Sequence, residues 1–349
     1  MKDLVLKLEE KHFLSDEEFK LLIEDESEKT LSFLNEKAEI ARKKVYGNAV
    51  YIRGLIEFTN YCKNDCYYCG IRKSNCKAER YRLTVEQILD CCETGYNLGF
   101  RTFVLQGGED GFFTDKKMVD IIKQIKKEYP DCALTLSIGE RPYDSYKAFF
   151  DAGADRYLLR HETADSAHYS LLHPSNLSLE NRMNCLNDLK KIGFQVGCGF
   201  MVGSPYQTTE SIIQDLKFIK ELNPHMVGIG PFVPHNATPF KDFEQGSLNL
   251  TLKLLSIIRL MLPNVLLPST TALGTIDSMG REKGILAGAN VVMPNLSPKD
   301  VRKKYLLYDN KICTGDEAAE SVLCLKNKMK SIGYEVVTSR GDYKEFNGE

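Results

Sequence analysis

Tryptophan is missing from the sequence of 349 residues, although this absence excludes no class of fold by itself. No run of apolar residues is long enough to cross a bilayer as a helix, so we expect no membrane-spanning segment. An excess of charge of one sign is also lacking, because the formal net charge is only -2. This balance gives no indication of nucleic acid or of an anionic membrane surface as a partner, and we predict neither.

We also expect no secretion signal, because residues 1–10 are charged and contain no apolar run. The sequence contains 11 cysteines, an odd number that cannot pair completely within one chain. Without an export signal, such a count is typical of the reducing cytoplasm, where thiols stay free or bind metals. We therefore predict a cytoplasmic protein in which some cysteines are metal ligands or free thiols.

The most informative cysteines are Cys62, Cys66 and Cys69, which follow the pattern CxxxCxxC. Thiolates hold iron–sulfur clusters, and a cube of four irons ordinarily takes four of them. Three thiolates on one loop can bind three irons and leave the fourth open. This arrangement resembles that of radical S-adenosylmethionine enzymes, which implies an open iron that chelates the amino and carboxylate groups of a methionine. The alternative is a zinc site with Cys76 as the fourth ligand, although zinc sites usually combine paired CxxC spacings.

From residue 50 onward, apolar runs of strand length alternate with helical patterns. The predicted strands are residues 50–58, 102–105, 133–138, 156–159, 195–202, 226–229, 265–267 and 289–293. The predicted helices are residues 84–98, 115–128, 143–151, 179–192, 208–221, 248–262 and 281–287. Strands that alternate with helices pair in parallel, so we predict an α/β fold with a complete (β/α)8 TIM-type barrel. A doubly wound open sheet is the alternative, because periodicity does not show closure.

The residues before the barrel are predicted to be helical. Ser15 and Glu18 form the pattern of a capping box ahead of an apolar stretch, and residues 30–44 are amphipathic. We predict that residues 1–49 pack on the barrel as a helical lead-in. The barrel domain is then predicted to span residues 50–312, with a C-terminal extension over residues 313–349.

Polar and glycine-rich segments follow the predicted strands, at the end where such barrels place their active sites. Gly107, Gly108 and Glu109 follow the second strand, and the glycines would let the backbone approach the amino group of a bound methionine. A carboxylate at Glu162 would suit the methionine ammonium, and the guanidinium of Arg182 would suit its carboxylate. The alternative for Arg182 is a solvated charge on a helix surface.

Two histidines at strand ends, His161 and His235, are candidate metal ligands. A lone histidine in such a position is more often a hydrogen-bonded structural residue, and we favour that interpretation for both. Arg160 lies two residues before Glu162, so a continuous strand would turn both side chains into the barrel. The partner of an inward Arg160 would be either a substrate carboxylate, which we favour, or the side chain of Glu140.

Several segments together resemble one enzyme family. Residues 56–60, 105–110, 156–164, 226–232 and 270–272 are similar to those of the HydE family, the radical S-adenosylmethionine (SAM) maturases of FeFe-hydrogenase. The resemblance extends over nearly the whole chain. It implies one 4Fe–4S cluster on the cysteine triad, SAM as the second cofactor, and cleavage of SAM to a 5'-deoxyadenosyl radical.

The resemblance also implies roles for individual residues. The residues implied around the cluster and SAM are Tyr68, Gly107, Gly108, Glu109, Ser137, Glu162, Arg182 and Met201. The residues implied on the substrate side are Arg160, Thr270, Thr271, Tyr305 and Tyr308. Some family members carry three further C-terminal cysteines, whereas this chain has Cys313, Ser321 and Cys324. Because a hydroxyl is a poor iron ligand, we predict no stable second cluster.

The implied reaction belongs to the assembly of the diiron subcluster of the hydrogenase H-cluster. Its implied substrate is a cysteine-bearing iron–carbonyl–cyanide complex supplied by the maturase HydG, with HydF downstream. Ferredoxin or flavodoxin is the implied electron donor. Two alternatives remain at this point: a biotin synthase-like or methylornithine synthase-like enzyme acting on an organic substrate, and an iron–sulfur carrier that binds SAM without turnover.

Overall fold

The computed structural model describes residues 1–312 and 318–345 of the chain. It begins with three helices, α1 (Lys2–Lys11), α2 (Asp16–Glu24) and α3 (Glu28–Tyr46). The capping box is confirmed, because the Ser15 hydroxyl accepts from the Glu18 N–H and the Glu18 carboxylate accepts from the Ser15 N–H. Apolar side chains of these helices, such as Leu34, belong to the main hydrophobic core. The predicted helical lead-in is therefore confirmed.

The remaining elements alternate along the chain. The strands are β1 (Ala49–Ile52), β2 (Gly54–Thr59), β3 (Thr102–Gly107), β4 (Ala133–Ser137), β5 (Arg156–Leu158), β6 (Gln195–Cys198), β7 (Met201–Val202), β8 (Met226–Val227), β9 (Gly230–Pro231), β10 (Val291–Val292) and β11 (Glu335–Val337). The helices are α4 (Val85–Asn97), α5 (Asp115–Glu128), α6 (Tyr143–Asp151), α7 (Ser166–Leu172), α8 (Leu179–Ile192), α9 (Thr209–Leu222), α10 (Leu248–Met261), α11 (Thr271–Ile276), α12 (Gly280–Leu286), α13 (Lys299–Arg302) and α14 (Ala318–Ser331).

Parallel pairing runs around a closed ring. The strands β2, β3, β4, β5, β6 and β8 are neighbours in that order, and every pair is parallel. Single parallel bridges continue the ring from Met226 to Leu266, from Pro268 to Val291, and from Asn295 back to Leu55. Because the last bridge returns to β2, the predicted TIM-type barrel is confirmed and the open sheet is excluded.

Several strands are shorter or more divided than predicted. The predicted strand 50–58 is split at Arg53 into β1 and β2, and β1 pairs with β10 and β11. The predicted strand 195–202 is split into β6 and β7 around Gly199. Residues 265–267 contribute only single bridges. Helices α7, α11, α13 and α14 and strand β11 were not predicted, and all of them except α14 are too short to carry a clear period.

The N-terminal end of the barrel is covered by the residues that follow β11. Arg156, at the start of β5, donates to the Asp342 carboxylate at 2.6 Å and to the Arg340 carbonyl at 2.9 Å. Polar side chains of the chain itself therefore close the N-terminal end of the barrel. The loops at the C-terminal ends of the strands are available to form a functional site. The domain boundary at residue 312 stays a prediction. No helix in the described residues is long and apolar enough to cross a membrane.

Candidate active site at the C-terminal ends of the strands

The loop that carries Cys62, Cys66 and Cys69 begins directly after β2. The three thiols are free and partly accessible. Three main-chain hydrogen bonds fix the loop to other segments: Lys63 N–H to Glu109 O at 2.9 Å, Tyr67 N–H to Leu172 O at 3.0 Å, and Gly70 N–H to Leu307 O at 2.8 Å. The loop is therefore held by the end of β3, by α7 and by the segment after α13.

The thiols of this loop fit an iron–sulfur cluster, in which each thiolate binds a different iron. Burial raises the pKa of Cys66 to about 12, and the neighbouring Cys62 thiol adds to the shift. The thiols consequently hold protons until a metal replaces them. In residues 1–312 and 318–345, no three His, Cys, Asp or Glu side chains converge on one point that a single ion could occupy. A cube does not require such convergence, because each thiolate binds a different iron.

The glycines after β3 allow this strand end to approach the cysteine loop. A Cβ added at Gly108 would lie 2.3 Å from the Tyr61 carbonyl oxygen and 2.8 Å from the Cys62 Cβ. The Glu109 carboxylate accepts from the Glu140 N–H at 3.0 Å and lies 3.1 Å from the Lys63 ammonium. This segment therefore joins the cysteine loop to the end of β4.

Beside the loop, the buried Glu162 carboxylate meets the partly exposed Arg160 guanidinium, and both have hydrogen-bonding atoms without partners. The Glu162 Oε2 and Arg160 Nη2 atoms are 3.1 Å apart, but their alignment is too poor for a hydrogen bond. The Arg160 Nε atom is buried without a hydrogen-bond partner as well. Buried charged groups are normally saturated with hydrogen bonds, so this space is suited to a polar, charged ligand.

Arg182, near the start of α8, is buried beneath these groups rather than solvated. Its Nε atom donates to the Glu140 carboxylate, and its Nη1 atom donates to the Arg160 carbonyl at 2.8 Å. The surface-charge alternative for Arg182 is therefore wrong. Glu140 pairs with Arg182 and Asn181, so it is not the carboxylate partner of Arg160.

Arg160 and Glu162 do not lie on a strand, so the prediction that strand alternation places them on one face is wrong. Strand β5 ends at Leu158, so strand alternation does not extend to these residues. Glu162 instead has a left-handed φ of 66° and forms a single bridge with Phe200. The two side chains still meet, because this turn changes the direction of the chain.

Other residues implied by the family resemblance surround the cysteine loop. The Tyr68 hydroxyl lies 3.1 Å from Nε2 of His173. Met201 is buried in a small apolar cluster, and Tyr68 packs against the same cluster. Ser137 ends β4 and is paired in register with Gln106, next to the glycines. These residues lie near the loop, although their contacts with a cofactor stay predictions.

The predicted substrate-side residues also lie at this end of the barrel. The Thr270 Oγ1 atom is buried without a hydrogen-bond partner, whereas Thr271 Oγ1 accepts from Arg281 at 3.2 Å. Tyr305 is buried, and its hydroxyl accepts from Gln106 at 3.4 Å. Tyr308 is partly buried on the same segment. Thr270 therefore adds a fourth unused hydrogen-bonding atom to the region, after Nε and Nη2 of Arg160 and Oε2 of Glu162.

The structure adds one group that sequence reasoning missed. Glu57 in β2 is fully buried, accepts from Asn295 at 2.7 Å and pairs with the Lys311 ammonium. Lys311 also donates to the Tyr305 carbonyl at 3.0 Å. The sequence did contain a signal for Glu57, because it is a carboxylate within an otherwise apolar strand. A buried carboxylate is costly without a partner, so a partner could have been expected.

The two strand-end histidines form hydrogen bonds, and of the two C-terminal cysteines only Cys324 lies within the described residues. His161 Nδ1 accepts from the Gly199 N–H at 3.2 Å, and His235 Nδ1 accepts from the Ala237 N–H at 3.0 Å, so the hydrogen-bonded interpretation of both is confirmed. Cys324 is exposed on α14. Cys313 and the Ser321 side chain lie outside the described residues, so the absence of a second cluster stays a prediction.

Comparison with known proteins identifies the family. The Radical SAM superfamily matches residues 56–219. The [FeFe] hydrogenase maturase subunit HydE of Thermotoga maritima is 44% identical over 296 residues, which are 85% of this chain and 84% of the relative. The chain belongs to the HydE family. Radical SAM enzymes use a 4Fe–4S cluster and SAM, and the HydE-family loop described above supplies thiols that suit the cluster.

Two proteins outside hydrogenase maturation are less similar to the chain. The 3-methylornithine synthase of Methanosarcina barkeri is 32% identical, over 91% of this chain and 89% of the relative. The crystal structure of the methylornithine synthase PylB has a TM-score of 0.85 at 29% identity, covering 96% of this chain and 97% of that one. The barrel is therefore common to both kinds of enzyme, and the higher identity to HydE disfavours the methylornithine synthase alternative.

Proposed function

We propose that this protein cleaves SAM reductively and uses the resulting 5'-deoxyadenosyl radical in assembly of the diiron subcluster of FeFe-hydrogenase. The 44% identity to a HydE over 85% of the chain is the observation that carries this proposal. The position of the cysteine loop at the active-site end of the barrel supports it. A carrier that only binds SAM would not need a second polar region around Arg160 and Thr270.

Cys62, Cys66 and Cys69 would hold the cluster, which when bound supplies the electron that cleaves SAM. Glu162 would bind the methionine ammonium, and Arg182 would donate to its carboxylate. These two assignments are supported by the burial of both charges and by the unsatisfied Oε2 atom of Glu162. Tyr68, Gly107, Gly108, Glu109, Ser137 and Met201 would complete the walls around SAM.

Arg160 would bind the carboxylate of a cysteine-bearing iron–carbonyl–cyanide substrate. Its buried Nε and Nη2 atoms lack hydrogen-bond partners in the described part of the chain, as does Oγ1 of Thr270. Thr271, Tyr305 and Tyr308 would contribute further polar contacts on the substrate side. A planar guanidinium suits a carboxylate because it can donate two parallel hydrogen bonds.

The proposed partners follow from this reaction. HydG would supply the organometallic substrate, HydF would receive the product, and ferredoxin or flavodoxin would deliver the electron. We place the reaction in the cytoplasm, in keeping with the odd number of cysteines in the chain.

Co-expression with apo-hydrogenase, HydG and HydF in a host without its own HydE tests the proposal. The wild-type chain should restore hydrogen evolution, and the Cys66→Ala variant should not. Cys76→Ala is the matched control, because Cys76 is an exposed cysteine outside the triad. Hydrogen evolution by Cys66→Ala, or its loss in Cys76→Ala, would contradict the assignment of the triad. Failure of the wild-type chain, with SAM cleavage intact, would move the proposal to another substrate.

A further inference from the structure

We propose that His161 and Asp215 are positioning residues that hold Glu162 in the conformation needed to meet the SAM ammonium. The inference rests on the proposed function of Glu162. Neither side chain forms a hydrogen bond with the Glu162 carboxylate; they act on the backbone on either side of it. The two residues are far apart in the chain, since His161 follows β5 and Asp215 lies in α9.

Glu162 adopts a backbone conformation that it would not hold by itself. Its φ of 66° lies in the left-handed region, where a residue with a Cβ is disfavoured. Its side chain is also buried, with one carboxylate oxygen lacking a hydrogen-bond partner. Surrounding contacts must therefore stabilise the turn that presents the carboxylate.

The first of these contacts lies on the N-terminal side of the turn. The Glu162 N–H donates to the Gly199 carbonyl at 3.0 Å, and the Gly199 N–H donates to Nδ1 of His161 at 3.2 Å. Gly199 itself is fixed, because a Cβ there would lie 2.0 Å from the Gly228 carbonyl oxygen. The imidazole and the Glu162 main chain are thus joined to the same rigid residue.

The second contact lies on the C-terminal side. Oδ1 of Asp215 accepts from the Ala164 N–H at 2.5 Å and lies 3.3 Å from Nε2 of His161. Both side chains are fully buried. Oδ1 of Asp215 therefore lies next to His161, which precedes Glu162, and accepts from Ala164, which lies two residues after Glu162. We infer that this oxygen holds the two sides of the turn at Glu162 at a fixed distance from each other.

The protonation states are consistent with a structural role rather than with acid–base chemistry. Because Nδ1 accepts a hydrogen bond, the neutral His161 ring carries its proton on Nε2, which lies 3.3 Å from Oδ1 of Asp215 without forming a hydrogen bond to it. Burial lowers the pKa of His161 to about 3 and raises the pKa of Asp215. Asp215 also faces His168 and Asp165, and Arg160 and Arg182 lie near His161. The ring therefore remains neutral at ordinary pH.

Replacing Asp215 in two ways separates positioning from general stability. Asp215→Ala removes the acceptor of the Ala164 N–H, whereas Asp215→Asn keeps an oxygen in the same place. We expect Asp215→Ala to raise the Kd for SAM by about tenfold or more, with iron content unchanged, and Asp215→Asn to bind close to wild type. The readouts are equilibrium SAM binding and the change in the EPR spectrum of the reduced cluster when SAM is added.

A control variant shows whether a loss of stability alone weakens SAM binding. Ile122→Ala removes a fully buried side chain from α5, outside the turn at Glu162. It should lower the melting temperature and leave the Kd for SAM unchanged. If Asp215→Ala does not fold, the pair His161→Leu and His161→Asn repeats the test, since only asparagine keeps an acceptor for the Gly199 N–H.

Three outcomes decide the matter. Normal SAM affinity in Asp215→Ala at full iron content would overturn the inference, and so would equal weakening in Asp215→Asn. Glu162→Gln distinguishes this failure from a failure of the proposed function. If Glu162→Gln binds SAM normally, the role proposed for Glu162 is wrong; if it weakens binding while Asp215→Ala does not, only the positioning role is wrong.

Discussion

At the scale of single residues, Arg182 shows how a charge can be buried with its hydrogen bonds satisfied. One guanidinium nitrogen donates to Glu140 and another donates to the Arg160 carbonyl. A guanidinium has five N–H groups, so these two bonds leave others for a ligand. The Glu140 carboxylate also keeps the local charge balanced when SAM is absent. Arg182 is therefore suited to bind the carboxylate of a ligand that associates and dissociates reversibly.

Arg182→Ala should weaken SAM binding and leave the iron content unchanged. The lost charge-assisted hydrogen bonds are worth roughly 1.5–3 kcal/mol, which corresponds to roughly a ten- to hundredfold rise in Kd. Equilibrium binding of SAM to the reconstituted protein measures this change. Arg101→Ala is the control, because it removes an arginine whose ion pair with Asp131 lies at the surface. Unchanged SAM affinity in Arg182→Ala would refute its assigned role.

Arg160→Ala should differ from Arg182→Ala in its effect on SAM binding. Because its orphaned nitrogen atoms are assigned to the substrate, cluster content and SAM binding should survive while maturation of the hydrogenase fails. Iron analysis, SAM binding and hydrogen evolution after co-expression measure the three properties separately. Arg160→Lys keeps the charge but not the planar fork, so it should mature hydrogenase poorly. Maturation at the wild-type rate in Arg160→Ala would make this residue structural.

At the scale of the elements, the site depends on how closely β3 approaches the cysteine loop. Gly108 touches the loop so closely that any Cβ would overlap the Tyr61 carbonyl. Three residues later, Gly111 has open space, with nothing within 4 Å of an added Cβ. The two glycines belong to the same segment, but only the first is required by packing.

This difference gives a matched pair of variants. Gly108→Ala should displace the loop that carries Cys62 and therefore reduce the iron bound after reconstitution, whereas Gly111→Ala should bind iron like the wild type. Iron and sulfide analysis together with the absorbance of the cluster measures the result. Full cluster occupancy in Gly108→Ala would contradict this expectation, because it would show that the loop accommodates the added Cβ without losing iron.

The same scale shows what sequence patterns contain and what they omit. The alternation of apolar runs and helical patterns was sufficient for the barrel, because strand and helix periods differ along the chain. It did not reveal the break at Arg53, because a buried arginine within an apolar run leaves the period unchanged. Nor did it reveal that residues 265–267 would form only single bridges.

The parts of the site that form a local motif could be predicted from the sequence. The parts that depend on contacts between distant segments could not. The cysteine triad and the glycines lie in short segments, so their pattern is visible in the sequence. The burial of Arg182 depends on Glu140, which comes from a different loop, and the pairing of Glu57 depends on Lys311. Asp215 acts across two elements, and no spacing in the sequence connects it with Glu162.

At the scale of the whole molecule, the C-terminal segment completes the barrel at the end opposite to the active site. Asp342 accepts from Arg156 in β5, and it also pairs with Arg340. Burial alone would raise the pKa of Asp342, but the two guanidinium groups outweigh it and lower the pKa to about 2. The ion pairs therefore tie the last strand to the rest of the fold in a pH-dependent way.

Asp342→Asn should lower the stability of the protein at neutral pH. A carboxyl whose pKa falls on folding stabilises the native state above its unfolded pKa of about 3.9 and loses that effect as the pH falls through the folded value. The difference between wild type and variant in urea unfolding should thus be constant from about pH 7 to pH 5 and shrink below about pH 4. Asp131→Asn, at a surface ion pair, should show little difference at any pH. A difference that grows on acidification would contradict this account.

The pairing of β1 with β11 has a consequence for the synthesis of the chain. These strands flank the barrel in sequence, so β1 leaves the ribosome long before its neighbour on that side exists. Contacts between such distant segments form late, and a nascent chain exposes the unpaired edge of β1 and the unpaired Arg156 in the meantime. Folding of this protein is therefore completed only after translation has passed β11, and a ribosome stalled before that point holds an aggregation-prone edge.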